Sequence, residues 1–249
     1  MRATAIEFRF RMAINTLIVV LGFWAPWIEH LGIGRRISLL EWLALEFSRS
    51  GMTSFTVATP VVILCGSILA ALGVLFRVSG AAYLGNTTVL SPQMQAGAVM
   101  AAGPYRYVRN PLYIGLWFMV AAMAFVMPPT GALVTLVLLT VFLFRLILGE
   151  EVFLASQLGD PYRAYLKAVP RLLPRLRTSL PQSAVHPNWL LAAVSEINPI
   201  GIFVTIAGLS WTYDHSLMLK AILITFGASL VVRAFLPPAP ASPTATPQP

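Results

Sequence analysis

Several long apolar runs, separated by short basic loops, limit what this chain can fold into. A helix needs about 20 mainly apolar residues to cross a bilayer, and several of the runs approach that length. Only 10% of the 249 residues are charged, whereas 57% are hydrophobic, which is a composition unlike that of a soluble domain. The sequence therefore predicts an all-α, polytopic membrane protein.

We expect about six membrane helices. They cover approximately residues 13–28, 54–76, 111–127, 132–149, 189–211 and 217–235. Glu196, Asn198 and Pro199 interrupt the apolar pattern of the fifth, and the charged residues within 31–49 favour an interfacial helix or a packed extramembrane loop. The predicted organisation is a first helix with an interfacial segment (1–53), a core (54–180), two additional helices (181–236) and a disordered Pro-rich tail (237–249).

The basic residues predict an orientation rather than a nucleic-acid partner. The net charge of +8 arises largely from arginines in short loops, a pattern that the positive-inside rule explains more simply than nucleic-acid binding does. This asymmetry predicts a cytoplasmic N-terminus, with the polar clusters on the same side of what we expect to be a bacterial inner membrane. The three histidines and the single cysteine have no metal-binding spacing.

The first of two polar clusters lies at the entry to the third predicted helix. It runs from Gly103 to Gly115 and reads GPYRYVRNPLYIG. Asn110 suits a helix N-cap, and the proline after it suits the first helical position, where its missing N–H costs nothing. On helical turns, Tyr105, Arg109 and Tyr113 recur every four residues and share one face. The cluster is therefore a polar, aromatic and cationic stripe at the membrane boundary.

The second polar cluster ends the fourth predicted helix. Arg145 lies inside the apolar run, where it either snorkels to the interface or faces a polar interior. Glu150 and Glu151 follow at the helix C-terminus, where the helix dipole disfavours anions, so we expect a cation such as Arg109, or a cationic ligand, beside them. A tight turn at residues 128–131 joins the two helices as antiparallel neighbours. We therefore predict that the two clusters meet.

Three motifs in the chain together resemble the isoprenylcysteine carboxyl methyltransferase family and its relatives, the phospholipid N-methyltransferases. The family signature combines a Gly-x-Tyr-x-x-x-Arg-His-Pro-x-Tyr-x-Gly helix entry, an Arg-x-x-x-x-Glu-Glu helix end and a Tyr-x-x-Tyr-x-x-x-Val-Pro segment. Here these are residues 103–115, 145–151 and 162–170, in the same order and with a hairpin of the right length between the first two. The resemblance covers about residues 54–175.

The resemblance implies a membrane enzyme that uses S-adenosylmethionine. The third and fourth helices and the segment after them would form the cofactor pocket, and a lipid-like or prenylated acceptor would enter from the bilayer. The residues that it assigns to the cofactor are Tyr105, Arg109, Asn110, Tyr113, Glu151 and Tyr162. Arg145 and Glu150 would face the acceptor. Asn110 stands where the family usually has histidine, so any role of that histidine as a base is absent here.

The acceptor group is less constrained than the cofactor. Methyl transfer from a sulfonium is an in-line displacement, so positioning supplies much of the acceleration. A carboxylate acceptor needs a cation to hold it, and Arg145 in that role favours a prenylcysteine-like carboxylate. An amine acceptor needs a carboxylate instead, for which Glu150 is the candidate. N-methylation of a phospholipid amine and S-methylation of a small thiol stay open. Two alternatives outside methyl transfer also stay open: an NADPH-dependent sterol-type C=C reductase, and a non-enzymatic scaffold or transporter.

Overall fold

The computed structural model describes residues 2–24, 37–84, 101–175, 177, 180, 186–212 and 214–235. Within these residues every regular element is helical, which confirms the predicted all-α class. The α-helices are α1 (Ala5–Arg9), α2 (Arg11–Phe23), α3 (Leu39–Arg49), α4 (Phe55–Leu84), α5 (Pro111–Ala124), α6 (Pro129–Ala168), α7 (Trp189–Ser195), α8 (Ile197–Val204) and α9 (His215–Phe235). The predicted Pro-rich tail lies outside the described residues.

Two of these helices, α4 and α6, are each long and apolar enough to cross a membrane. A third candidate span consists of α7 and the helical stretch Ile197–Thr212, which meet at a bend of 70°. The apolar helices α2 and α5 are shorter; the 14 residues of α5 extend about 21 Å, less than the ~30 Å hydrocarbon core. Each predicted span overlaps a helix. The count of six is not confirmed, because the described residues contain two or three candidate spans by length and composition.

The helices α5 and α6 form the antiparallel hairpin that the sequence predicts. Near the middle of the pair, the indole N–H of Trp117 donates to the hydroxyl of Thr140 at 2.9 Å. Near its open end, the hydroxyl of Tyr113 donates to the carboxylate of Glu150, also at 2.9 Å. Asn110 and the two glutamates after Gly149 consequently lie at the same end of the hairpin.

Glycines allow neighbouring helices to approach closely around this hairpin. A Cβ atom on Gly115 of α5 would lie 2.9 Å from the backbone nitrogen of Arg77 and 3.0 Å from the carbonyl oxygen of Gly73, both on α4. A Cβ atom on Gly131 of α6 would overlap the carbonyl of Gly22 on α2. Small residues at such contacts are the usual means by which membrane helices pack. The last glycine of the helix-entry motif is therefore a contact point for α4.

The N-terminal helix α1 packs against the middle of α6, close to the two glutamates. The backbone N–H of Ala3 donates to the carbonyl of Arg145 at 3.0 Å. The guanidinium of Arg145 donates to both carboxylate oxygens of Glu7, at 2.8 and 2.9 Å. Hydrogen bonds from the Thr4 backbone and from Arg145 lower the pKa of Glu7. The N-terminus is therefore attached to α6 by a backbone hydrogen bond and an ion pair.

The C-terminal helices are joined to α4 by a second ion pair. Arg77 of α4 donates from Nε and a terminal nitrogen to the two oxygens of Glu196, at 2.8 and 2.6 Å. Glu196 is only 1% exposed and lies at the 70° bend between α7 and α8. A two-pronged pair of this kind offsets part of the cost of burying two charges. The residue that interrupts the fifth apolar run is thus a tertiary contact.

The contact between α2 and α6 gives a test of this packing. Gly131→Ala places a methyl group against the Gly22 backbone, and we expect it to lower the free energy of unfolding by about 1–3 kcal/mol, as overpacking does. The matched control is Gly227→Ala in α9, where nothing lies within 4 Å of the added Cβ atom. Reversible unfolding in mixed micelles measures both. Equal stability of the two variants would contradict the close approach.

Candidate active site

The two polar clusters meet at the open end of the α5–α6 hairpin, as the sequence predicts. Arg109 lies 2.9 Å from Glu151 in an ion pair whose two side chains are 12% and 8% exposed. One residue earlier on α6, Glu150 accepts the hydrogen bond from Tyr113. The two adjacent glutamates point in different directions and bind different groups, because successive residues on a helix are 100° apart.

Glu151 binds a second arginine as well. The guanidinium of Arg171 donates to both oxygens of Glu151, from Nε at 3.1 Å and from a terminal nitrogen at 2.7 Å. The hydrogen bonds with Glu151 raise the pKa of Arg171. Glu151 thus lies between two arginines, which satisfies the expectation of a cation beside the glutamates. Arg171 is a site residue that the sequence analysis did not single out, although it directly follows the third motif.

Backbone contacts place Arg171 beside the helix entry. The N–H of Arg109 donates to the carbonyl of Pro170 at 2.9 Å, and the N–H of Arg175 donates to the carbonyl of Tyr107 at 3.0 Å. The chain reaches this position after a kink in α6 at Gly159, whose φ of 62° and ψ of −136° suit glycine. The segment after α6 is therefore fixed along residues 107–109.

The predicted N-cap position of Asn110 is confirmed, but its side chain has a different role. Asn110 does occupy the N-cap position of α5, with proline at the first helical position, but its side chain makes no capping hydrogen bond. Its amide instead donates to the carbonyl of Arg171 at 3.1 Å. This side chain therefore connects the helix entry to the segment that carries Arg171.

Three tyrosines near the helix entry, Tyr105, Tyr162 and Tyr165, are buried. Tyr105 is 8% exposed, and its hydroxyl has no hydrogen-bond partner among the described residues. Burial raises the pKa of this phenol, so it stays protonated near neutral pH. Tyr165 donates to the carbonyl of Tyr105 at 2.8 Å, and Tyr162 packs against Tyr165 with ring centroids 5.8 Å apart. Tyr162 is consequently part of the packing that supports Tyr105.

Arg145 does not join the other site residues. Five residues on a helix separate Arg145 from Glu150 by about 140° around the axis, and the guanidinium binds Glu7 of α1 instead. Both side chains of that pair are 29% exposed. The structure does not bring Arg145 to Glu150, so its role toward an acceptor stays a prediction that the resemblance implies.

An apolar groove leads along the hairpin to Tyr113. It has a volume of about 380 Å³. Its walls are mainly apolar side chains of α5, of α6 and of the segment after α6, including Ile114, Trp117, Phe118, Leu143, Phe144 and Leu173. A groove of this composition suits a hydrocarbon chain. Since Tyr113 lines it and binds Glu150, the groove ends beside the polar cluster.

Comparison with known families agrees with this geometry. Residues 61–160 match the phospholipid methyltransferase family. That family includes the isoprenylcysteine-type membrane methyltransferases, so the match confirms the resemblance. It indicates a membrane methyltransferase and gives no support to a sterol-type reductase. No curated protein and no solved structure matches the chain.

The buried polar atoms of the site fit the cofactor that this family generally uses, S-adenosylmethionine. The hydroxyl of Tyr105 and the Nε of Arg109 are both buried, and neither has a partner among the described residues. Leaving such a donor unpaired costs about 1–3 kcal/mol. The amino-acid end of the cofactor carries a carboxylate that accepts hydrogen bonds from donors of this kind. Among the described residues, no group of three or more His, Cys, Asp and Glu is placed to hold a metal ion.

Removal of Glu151 tests its position between two arginines. Glu151→Ala leaves Arg109 and Arg171 without their shared partner, and we expect a loss of about 3–5 kcal/mol in the free energy of unfolding. Glu46→Ala is the control, because Glu46 forms an exposed pair with Arg49 that contributes at most about 1 kcal/mol. Detergent-titrated unfolding followed by tryptophan fluorescence compares them. A loss no greater than that of the control would argue against the central position of Glu151.

Proposed function

We propose that this protein transfers a methyl group from S-adenosylmethionine to a lipid-linked acceptor within the membrane. The family match at residues 61–160 supports the reaction class. The observation that carries the proposal is that Tyr113, which lines the apolar groove, donates a hydrogen bond to Glu150. An amphiphilic acceptor would match this arrangement, because its hydrocarbon chain would fit the groove and its polar group would meet Tyr113 and Glu150.

Tyr105, Arg109 and Tyr113 are the residues that we assign to the cofactor. When bound, S-adenosylmethionine supplies an electrophilic methyl group on its sulfonium. Arg109 would bind the cofactor carboxylate through its unpartnered Nε, while its terminal nitrogen stays on Glu151. Tyr105 offers a buried hydroxyl from the 3-10 turn Gly103–Arg106. Glu151 acts through Arg109, by fixing its guanidinium, rather than by direct contact with the cofactor.

The contacts of Arg145 favour an amine as the acceptor. The preference for a carboxylate rests on an arginine free to hold it, whereas Arg145 binds Glu7. Glu150, in contrast, accepts a hydrogen bond from the neutral phenol of Tyr113, which lines the groove. Arg11 and Glu151 are the charged groups whose fields reach Glu150. A phospholipid amine in the groove would place its nitrogen beside this carboxylate.

Glu150 then has a defined task in the reaction. An ammonium has no lone pair, so one N–H proton must leave before the nitrogen can form the new bond. Glu150 accepts that proton, as a general base within hydrogen-bond reach of the acceptor. Tyr113 holds the carboxylate beside the groove, and the apolar walls keep water away from the reacting groups. The prenylcysteine-like carboxylate is the rival acceptor, and it requires Glu7 to release Arg145.

A methyl-transfer assay with a matched acceptor pair tests this proposal. Purified protein receives isotopically labelled S-adenosylmethionine together with either phosphatidylethanolamine or a prenylcysteine carboxylate in the same vesicles. We expect label in the amine lipid, and a decrease in kcat of about 10²–10⁴-fold in Glu150→Gln, the usual contribution of a general base. Glu46→Gln is the control.

Two other results have definite meanings in this assay. Base-labile label on the prenylcysteine carboxylate, absent in Arg145→Gln, would show that the acceptor is a carboxylate rather than an amine. Folded protein that labels neither acceptor, and does not bind the cofactor, would contradict the methyltransferase proposal.

A further inference from the structure

A basic surface lies just after the kink of α6. The stretch 160–177 contains five basic residues and one acidic residue, Asp160. Four of the basic residues are exposed and lie outside the site described above, namely Arg163, Lys167, Arg175 and Arg177; these four define the basic surface. Arg163 forms an exposed ion pair with Asp160 at 3.1 Å. The surface therefore keeps a strong positive charge after this pair is counted.

Local contacts hold these cations close to one another. Arg163 and Lys167 are four residues apart on the same helix, so they lie on one face. The guanidinium of Arg175 donates to the carbonyl of Ala168 at 3.0 Å, beside Lys167. Its backbone N–H is in turn bound by the carbonyl of Tyr107. Three of the four cations thus lie around the end of α6 as one surface.

The basic surface borders the mouth of the apolar groove. Leu172 and Leu173 line the groove and lie between Arg171 and Arg175 in the chain. Leu173 is 83% exposed, which is costly beside water and favourable beside lipid. An exposed apolar side chain flanked by cations is the pattern of a segment that lies at a membrane interface.

We propose that the basic surface binds the headgroups of anionic phospholipids at the membrane face beside the groove. Clusters of Lys and Arg next to a membrane helix attract anionic lipids. The exposed Leu173 fixes this surface at the level of the headgroups. Anionic lipids therefore accumulate beside the groove. Their local fraction determines the negative charge at the membrane surface next to Leu172 and Leu173. This binding does not depend on methyl transfer, so it can be tested separately from the proposed function.

Lipid selectivity of the reconstituted full chain tests the proposal. The protein is placed in phosphatidylcholine vesicles, and electron spin resonance compares spin-labelled phosphatidylglycerol with spin-labelled phosphatidylcholine at its surface. We expect wild type to prefer phosphatidylglycerol at low salt and to lose most of the preference in 1 M NaCl, where the Debye length is about 3 Å. In Arg163→Gln/Lys167→Gln, the relative association constant should fall at least about twofold.

The chain offers a closely matched control, Arg49→Gln/Lys220→Gln. Arg49 forms an exposed ion pair with Glu46 at 3.1 Å, the same geometry as that of Arg163 with Asp160, and Lys220 is exposed like Lys167. Both double variants remove two positive charges, and the control should keep the selectivity of wild type. Equal selectivity of the two variants, or none in wild type, overturns the proposal. Tighter binding of a short RNA than of phosphatidylglycerol vesicles, lost in the same variant, overturns the assignment to lipid.

Discussion

The carboxylate of Glu151 holds together three segments that are distant in the sequence. It belongs to α6, it binds Arg109 from the entry to α5, and it binds Arg171 from the segment after the kink. Loss of this buried anion would leave both cations without their shared partner, which is strongly destabilising. The positions of Tyr105, Tyr113 and the groove walls all depend on these three segments staying in contact.

Two further ion pairs attach the ends of the chain to this centre. Glu7 binds Arg145 and so places α1 on α6, while Glu196 binds Arg77 and so places the bend between α7 and α8 on α4. In each pair the arginine lies within the family match at residues 61–160 and the glutamate lies outside it. The hydrogen bonds of an arginine–carboxylate pair are directional, and they are stronger in a low-dielectric setting than in water. The flanking helices are therefore fixed to the family segment at defined positions.

The sequence predicts those features that depend on local pattern. Proline at the start of α5, the apolar runs and the turn between α5 and α6 are local signals, and the hairpin and the meeting of its two polar ends follow from them. The partner of Arg145 depends instead on where α1 packs, which no periodicity reveals. Asn110 likewise meets an acceptor 61 residues later rather than its own helix.

The number of spans is also poorly determined by apolar length alone. The helix α6 continues through polar residues to Ala168, far beyond its apolar run, whereas α5 ends at Ala124 after 14 residues. The final turns of α6 are polar but contact the helix entry, because Tyr165 donates to the carbonyl of Tyr105. The helix α5 ends at the turn before Pro129. The length of α6 therefore depends on a tertiary contact that a hydropathy window does not detect, whereas the end of α5 follows from a local turn.

In the proposed function, the open end of the α5–α6 hairpin would hold S-adenosylmethionine. Ultraviolet cross-linking of the labelled cofactor to the purified protein, followed by peptide mapping, tests it most directly because it reports position without requiring an acceptor. We expect label on peptides from residues 103–115 or 150–165, and excess unlabelled cofactor should remove it. Label confined to other segments, or absent from well-folded protein, would contradict it.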